Sequence, residues 1–346
     1  AMFIEARIYE RTLPGTDVRM EWGGMWVHPE YQSSVAAEIA RYGLRSARTD
    51  EAESFAWVTP DQRMNGDLAV AGWRSSNAEL ASVLGDYVST GLGVLGLSWQ
   101  SSPALTEIEE TTTDWVRQMI GLSDAWSGVI QDTASSCTLV ALICARERAS
   151  GYSLVRGGLQ AESQPLVVYV SAHSHSSVDK AALLAGFGRA NVRVVATDAA
   201  YAMRPDALDE AIRADLAAGR TPCAVVATTG TTTTTALDPI GAIAEVAHRH
   251  GLWLHVDAAL AGSAMILPEC RPLWDGIEGA DSLVLNPHKW LGAAFDCSLY
   301  YVRDPQHLVR VMSTNPSYLR SGVDEKVKNL RDWGIPLGRR FRALKL

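Results

Sequence analysis

The stretch AVVATTGTTTTTALDPIGAIAEVAHRHGLWLHVD, residues 224–257, decides the fold. It opens on a short apolar run, Ala224 to Thr228, and ends on another, Leu252 to Val256, each bounded by polar residues or glycine. Between them the spacing predicts a helix. Asp238 stands at the N-cap and Pro239 at the first helical position, Ile240, Ile243 and Val246 share one face, and Gly251 follows the last turn. A strand, a helix and a strand in this order predict a parallel sheet joined by crossover helices. The five threonines Thr231 to Thr235, directly after Gly230, read as a loop at the carboxyl end of the first strand.

Working outward from that unit, the same two textures alternate from about Ser76 onward. Leu166 to Val170, Val192 to Ala196 and Ser282 to Leu285 are further strand candidates. Most lack a clean period of two, so they read as strands covered on both faces by helices. Helices are predicted from Pro205 to Ala218, with Leu208, Ile212 and Leu216 on one face, from Ser135 to Ala149, and from Ser176 to Ala185. Residues 1–75 differ: they hold Trp22, Trp26, Trp57 and Trp73 among many charges, and their fold stays unassigned. The expected division is therefore an N-terminal segment, 1–75, and an α/β domain, 76–346.

Composition bounds the function. The chain has 346 residues, 47% of them apolar and 20% charged, with a net charge of −8. That length can bury a large core without staples, and the acidic balance argues against nucleic acid as a partner. Cys137, Cys144, Cys223, Cys270 and Cys297 are scattered and form no Cys-x-x-Cys pair, which reads as buried thiols in a reducing compartment. No apolar run approaches the roughly 20 residues that span a bilayer, and Glu5, Arg7 and Glu10 break any signal-peptide layout at the start of the sequence. A cytoplasmic protein without membrane contact is expected.

Ligands of an open parallel sheet bind beyond the carboxyl ends of its strands, where this sequence gathers its polar residues: Ser171, His173 and His175; Thr229 to Thr235; His255 and Asp257; Asn286, His288 and Lys289. A lysine at a strand end is ordinarily a surface residue, but a partly desolvated one suits Schiff-base chemistry because burial frees its amine. Asp257 ends an apolar strand and needs a partner, either a backbone N–H, an arginine or a cationic heterocycle. Gln131 to Ser136 lead into a helix, an arrangement that is either a plain cap or a phosphate site. His175 opens a helix as a cap or spacer, or stacks on a flat ring. His173 and His175 lack a third metal ligand at sensible spacing, so no metal is expected. Neither a Gly-x-x-x-x-Gly-Lys-Ser/Thr loop nor a Gly-x-Gly-x-x-Gly turn occurs.

Asn286-Pro287-His288-Lys289-Trp290, with His255-Val256-Asp257-Ala258-Ala259 and His175-Ser176-Ser177-Val178 upstream, resembles the pyridoxal-phosphate-dependent group II amino acid decarboxylases, in particular aromatic-L-amino-acid decarboxylase of bacterial type. The resemblance runs from about Asn77 to Leu346 and includes Ser98-Trp99-Gln100 and Asp332-Trp333-Gly334. It implies a fold-type I large domain with a seven-stranded, mostly parallel sheet, and a homodimer. It implies that Lys289 carries pyridoxal 5′-phosphate, that Asp257 pairs with the pyridine nitrogen and that His175 stacks on the ring. Ala134, Ser135, Asn286 and His288 match phosphate-binding positions, and Thr231 and Ala259 fall near the cofactor. Tyr318 matches a mobile-loop tyrosine that returns a proton to carbon after carbon dioxide leaves, and relatives with Phe there can form an aldehyde instead. The implied activity is a carboxy-lyase reaction on an aromatic amino acid (tryptophan, tyrosine, DOPA or phenylalanine). The alternatives are an aldehyde synthase, a decarboxylase of glutamate or another amino acid, or a truncated chain that binds cofactor without catalysis. Ala69 to Arg74 replace the pocket-lining His-Pro and aromatics expected there, Leu260 replaces a tyrosine, and the sequence stops where the family's small C-terminal domain would begin.

Overall fold

The apolar, β-branched runs form strands because their side chains are covered from both faces of one central sheet. In the computed structural model, residues 78–314 and 326–346 are described in full, and of residues 1–77 only short strands are described. The chain divides into two units, Ala1–Asn77 and Ala78–Leu346. In the first, Met2–Ile4 pairs antiparallel with both Met25–Val27 and Ser46–Arg48, Tyr9–Thr12 with Arg19–Trp22, and Val58–Thr59 with Gln62–Arg63.

Numbering within the second unit, the strands are β1 (Ser127–Gln131), β2 (Leu166–Ser171), β3 (Val192–Val195), β4 (Thr221–Thr228), β5 (Trp253–Asp257), β6 (Ser282–Leu285) and β7 (Ser298–Val302). They make one seven-stranded sheet in the order β3-β2-β4-β5-β6-β7-β1. All pairings are parallel except those of β7, which runs antiparallel to both β6 and β1. The expected seven-stranded, mostly parallel α/β sheet is therefore what the chain forms. Every residue of β2, β5, β6 and β7 is buried, which explains why their sequences carry no alternation.

The principal helices are α1 (Leu80–Leu92), α2 (Pro103–Met119), α3 (Ala134–Ala149), α4 (Ser176–Leu184), α5 (Pro205–Ala217), α6 (Ile240–Arg249), the short α7 (Pro287–Trp290) and α8 (Pro305–Met312). Helix α3 buries Cys137, Val140, Ala141, Leu142, Cys144 and Ala145, and α6 buries Ile240, Ile243, Ala244, Val246 and Ala247. At roughly 1.5–3 kcal/mol per buried large aliphatic side chain, such faces hold the helices on the sheet.

One local expectation is corrected. Asp238 does not cap α6; the N-cap is Pro239. The Asp238 carboxylate is buried and accepts from the backbone N–H of Met203 and of Thr228, both at 2.7 Å, so it ties the end of β4 to the turn before α5. Burial raises its pKa to about 6.

A buried ion pair fixes β1. Glu109 of α2 is fully buried; its Oε1 accepts from Arg339 Nη2 at 2.7 Å and from the Ile130 N–H at 2.9 Å, and its Oε2 from Arg339 Nη1 at 3.2 Å. One carboxylate thus joins helix, strand and the segment near residue 339.

Candidate active site

Asp257 is the last residue of β5 and only 4% exposed. Its Oδ1 accepts the Ala259 N–H at 3.1 Å, an Asx-type turn that stops the strand and aims the carboxylate. Below it on the same strand, His255 is fully buried, with Nδ1 2.9 Å from Ser282 Oγ and Nε2 3.5 Å from Thr138 Oγ1 of α3. That places His255, and Asp257 two positions on, on the face of the sheet covered by α3. Burial pushes the His255 pKa down to about 4, against the opposing pull of Asp257.

Lys289 sits in α7, the single turn that begins where β6 ends, because Pro287 starts a helix at once and the Lys289 N–H closes onto Asn286 O at 2.9 Å. Burial holds the Lys289 ammonium below its ordinary range, and the Asp257 charge acts in the opposite direction. The same Asp257 charge is felt at Cys137, in the first turn of α3. Lysine, carboxylate and helix N-terminus are thereby gathered at one end of the sheet.

No side chain caps α3 at Thr133. The first-turn amides of Ala134, Ser135 and Ser136 have no intrahelical acceptor, so the start of this 16-residue helix is available to an anion. Asn286 presents its Oδ1 to Ser298 Oγ at 2.7 Å, leaving its amide nitrogen as the donor end. His288 is held by the loop that follows Lys289: Nδ1 lies 2.6 Å from Cys297 O and 3.1 Å from Cys297 N, and burial lowers the ring's pKa against the opposing pull of the Cys297 backbone.

Other expected site residues are placed less directly. His175 caps α4, its Nδ1 accepting from the Ser177 N–H at 3.2 Å with Ser177 Oγ at 2.7 Å, and its side chain is exposed. Thr231 is buried with its hydroxyl committed to its own loop, accepting the Ala236 N–H at 2.9 Å and lying 2.6 Å from Thr234 Oγ1. Gly230 makes that loop possible: its φ is +84°, and a Cβ there would stand 2.8 Å from Ala261 Cβ. Tyr318 lies outside the described residues. Residues that the motifs did not single out are Ser298, Cys297 and Thr228, whose buried hydroxyl has no hydrogen-bond partner among the described residues. Their signal is register, visible only once strands are paired.

Among the described residues, no cluster of His, Cys, Asp or Glu could hold a metal ion, and no helix is long and apolar enough to cross a membrane.

Residues 49–346 match the model of the pyridoxal-dependent decarboxylase conserved domain. The chain belongs to the pyridoxal-dependent decarboxylase family. The match begins upstream of Asn77, where the motifs alone placed the start of the resemblance. A phenylacetaldehyde synthase of Arabidopsis thaliana is 42% identical over 88% of this chain and 64% of its own length. Tryptophan decarboxylase 2 of Oryza sativa subsp. japonica is 43% identical over 78% of this chain and 56% of its own. The crystal structure of Oryza sativa TDC with PLP and tryptamine superposes with a TM-score of 0.74 at 43% identity, covering 78% of this chain and 57% of that one. These relatives are plant proteins, a correction to the bacterial type expected from the motifs. The chain spans 56–64% of the length of these two curated relatives.

Proposed function

We propose that this member of the pyridoxal-dependent decarboxylase family binds pyridoxal 5′-phosphate and decarboxylates an aromatic L-amino acid to the amine and carbon dioxide. The observation that carries the reading is the convergence of Lys289, its ammonium held down by burial, with Asp257 at the strand ends beside the open N-terminus of α3. The residues fit the cofactor by donor type. A nucleophilic amine suits the aldehyde, a buried carboxylate suits a ring N–H, and free helix amides suit a phosphate. The cofactor, when bound, supplies the electron sink that lets the substrate carboxylate leave as carbon dioxide.

The chain's own residues do the rest. Lys289 Nζ would be the amine that holds the cofactor by its aldehyde. Asp257 would accept the ring N–H and keep the ring nitrogen protonated, its Oδ1 already taking the Ala259 N–H. The Ala134 and Ser135 amides, with Asn286 and His288, would receive the phosphate. His175, held by Ser177 through Nδ1, offers a ring face for stacking. Thr231 shapes the loop over this end of the sheet. Tyr318 delivers the proton to carbon that sets the amine as product. Residues 76–346 form the cofactor-binding domain, and the working unit is a cytoplasmic homodimer, in keeping with cysteines that are all free thiols.

A second reading is an aldehyde synthase, favoured by the 42% identity to a phenylacetaldehyde synthase. The tyrosine at position 318 supports the decarboxylase. The test is product analysis with tryptophan, tyrosine, DOPA, phenylalanine and glutamate, with Lys289→Ala as control. Amine and carbon dioxide from an aromatic member of the panel are expected; aldehyde with ammonia and peroxide supports the second reading, and release from glutamate alone contradicts the aromatic assignment.

A further inference from the structure

Thr228 is the last residue of β4 and Asp257 the last of β5, and the two are Cα partners in the parallel ladder. Residues paired in this way project to the same face of a sheet, here the face toward α3 that His255 and Asp257 share. The Thr228 backbone is held, since its N–H donates to Asp238 Oδ2 at 2.7 Å. Its hydroxyl is 3% exposed as a residue, fully out of solvent, and has no hydrogen-bond partner among the described residues.

A buried donor without an acceptor is costly, and an apolar isostere in its place is neutral or stabilising. Threonine at Thr228 therefore gains nothing for the fold from its hydroxyl. The three other unpartnered buried hydroxyls among the described residues differ in position: Thr229 alternates to the opposite face, Ser263 lies in the turn beyond Asp257, and Tyr300 stands on β7, two strands away from β5. Only Thr228 stands beside the carboxylate on the α3 face. That carboxylate takes the Ala259 N–H on Oδ1, and among the described residues no side chain donates to it.

We infer that Thr228 is a positioning residue for Asp257, its hydroxyl donating to the carboxylate when a cationic nitrogen heterocycle docks there. The donated hydrogen bond, with that of Ala259, fixes the carboxylate plane toward the ring N–H. This rests on the reading of Asp257 as the partner of a ring nitrogen.

The test compares wild type, Thr228→Val and Thr228→Ser in the full chain by thermal melting without ligand and by absorbance titration. The two titrants are pyridoxal 5′-phosphate and its analogue in which carbon replaces the ring nitrogen. Thr228→Val should melt no lower than wild type without ligand and bind pyridoxal 5′-phosphate about tenfold more weakly, the worth of one hydrogen bond to a charged group. Thr228→Ser should restore the affinity, and the carbon analogue should not distinguish the variants. Equal affinity of wild type and Thr228→Val for pyridoxal 5′-phosphate overturns the inference, as does an equal loss for both titrants or a lowered melt without ligand. No binding by wild type overturns the cofactor reading itself and this inference with it.

Discussion

His255 Nδ1 stands 2.9 Å from Ser282 Oγ, an oxygen that accepts from Trp253 Nε1 at 2.9 Å. These contacts lock an imidazole into the sheet directly below Asp257. Because burial lowers the His255 pKa to about 4 from the ordinary 6.5, the folded chain keeps this ring neutral where an unfolded chain protonates it. Stability from this residue is therefore complete above about pH 6.5 and is lost as pH falls toward 4. The loss amounts to about 3 kcal/mol. Urea denaturation across that range should show a smaller loss in His255→Gln than in wild type, and identical slopes would contradict the assignment.

The Glu109–Arg339 pair makes a separate prediction. Glu109→Ala leaves a guanidinium buried without its carboxylate and removes the acceptor of the Ile130 N–H, so stability should fall by about 3–5 kcal/mol. Chemical denaturation measures it, and a change within about 0.5 kcal/mol, typical of a surface site, would show that the pair does not hold β1.

Gly230→Ala places a Cβ against Ala261 at a backbone angle of +84°. The left-handed conformation alone costs roughly 1–2 kcal/mol. The thermal midpoint should fall, and cofactor affinity should fall with it because the loop that follows β4 must move away from the turn after Asp257. A midpoint at the wild-type value would show that the turn relaxes without cost.

How much of this was legible beforehand varied with the kind of signal. The strands ending at Thr228, Asp257 and Leu285 were readable because fully buried strands are short apolar runs, and the Asn286 to Trp290 string identified the lysine. β1 and β7 were not: Ser127-Gly128-Val129 carries too few apolar residues, and Ser298-Leu299-Tyr300 becomes a strand only because it fits antiparallel between β6 and β1. Asp238 looked like a cap because cap and tertiary staple use the same residue type. The paired placement of Thr228 and Asp257 is a property of register, which no local pattern encodes.

Under the proposed function, product identity turns on position 318. Tyr318→Phe removes the phenolic proton donor, so the ratio of aldehyde to amine should rise at least several-fold while cofactor binding is unchanged. Chromatography of both products with a peroxide assay decides this, and an unaltered ratio would mean another group protonates carbon.

Lys289 is the residue proposed to carry the cofactor. Borohydride reduction of the protein after incubation with pyridoxal 5′-phosphate, followed by peptide mass spectrometry, tests that role most directly. The expected result is loss of the visible absorption band and a phosphopyridoxyl group on the peptide containing Lys289, absent in Lys289→Ala. A label spread over surface lysines, or a protein that stays colourless with cofactor present, would contradict it.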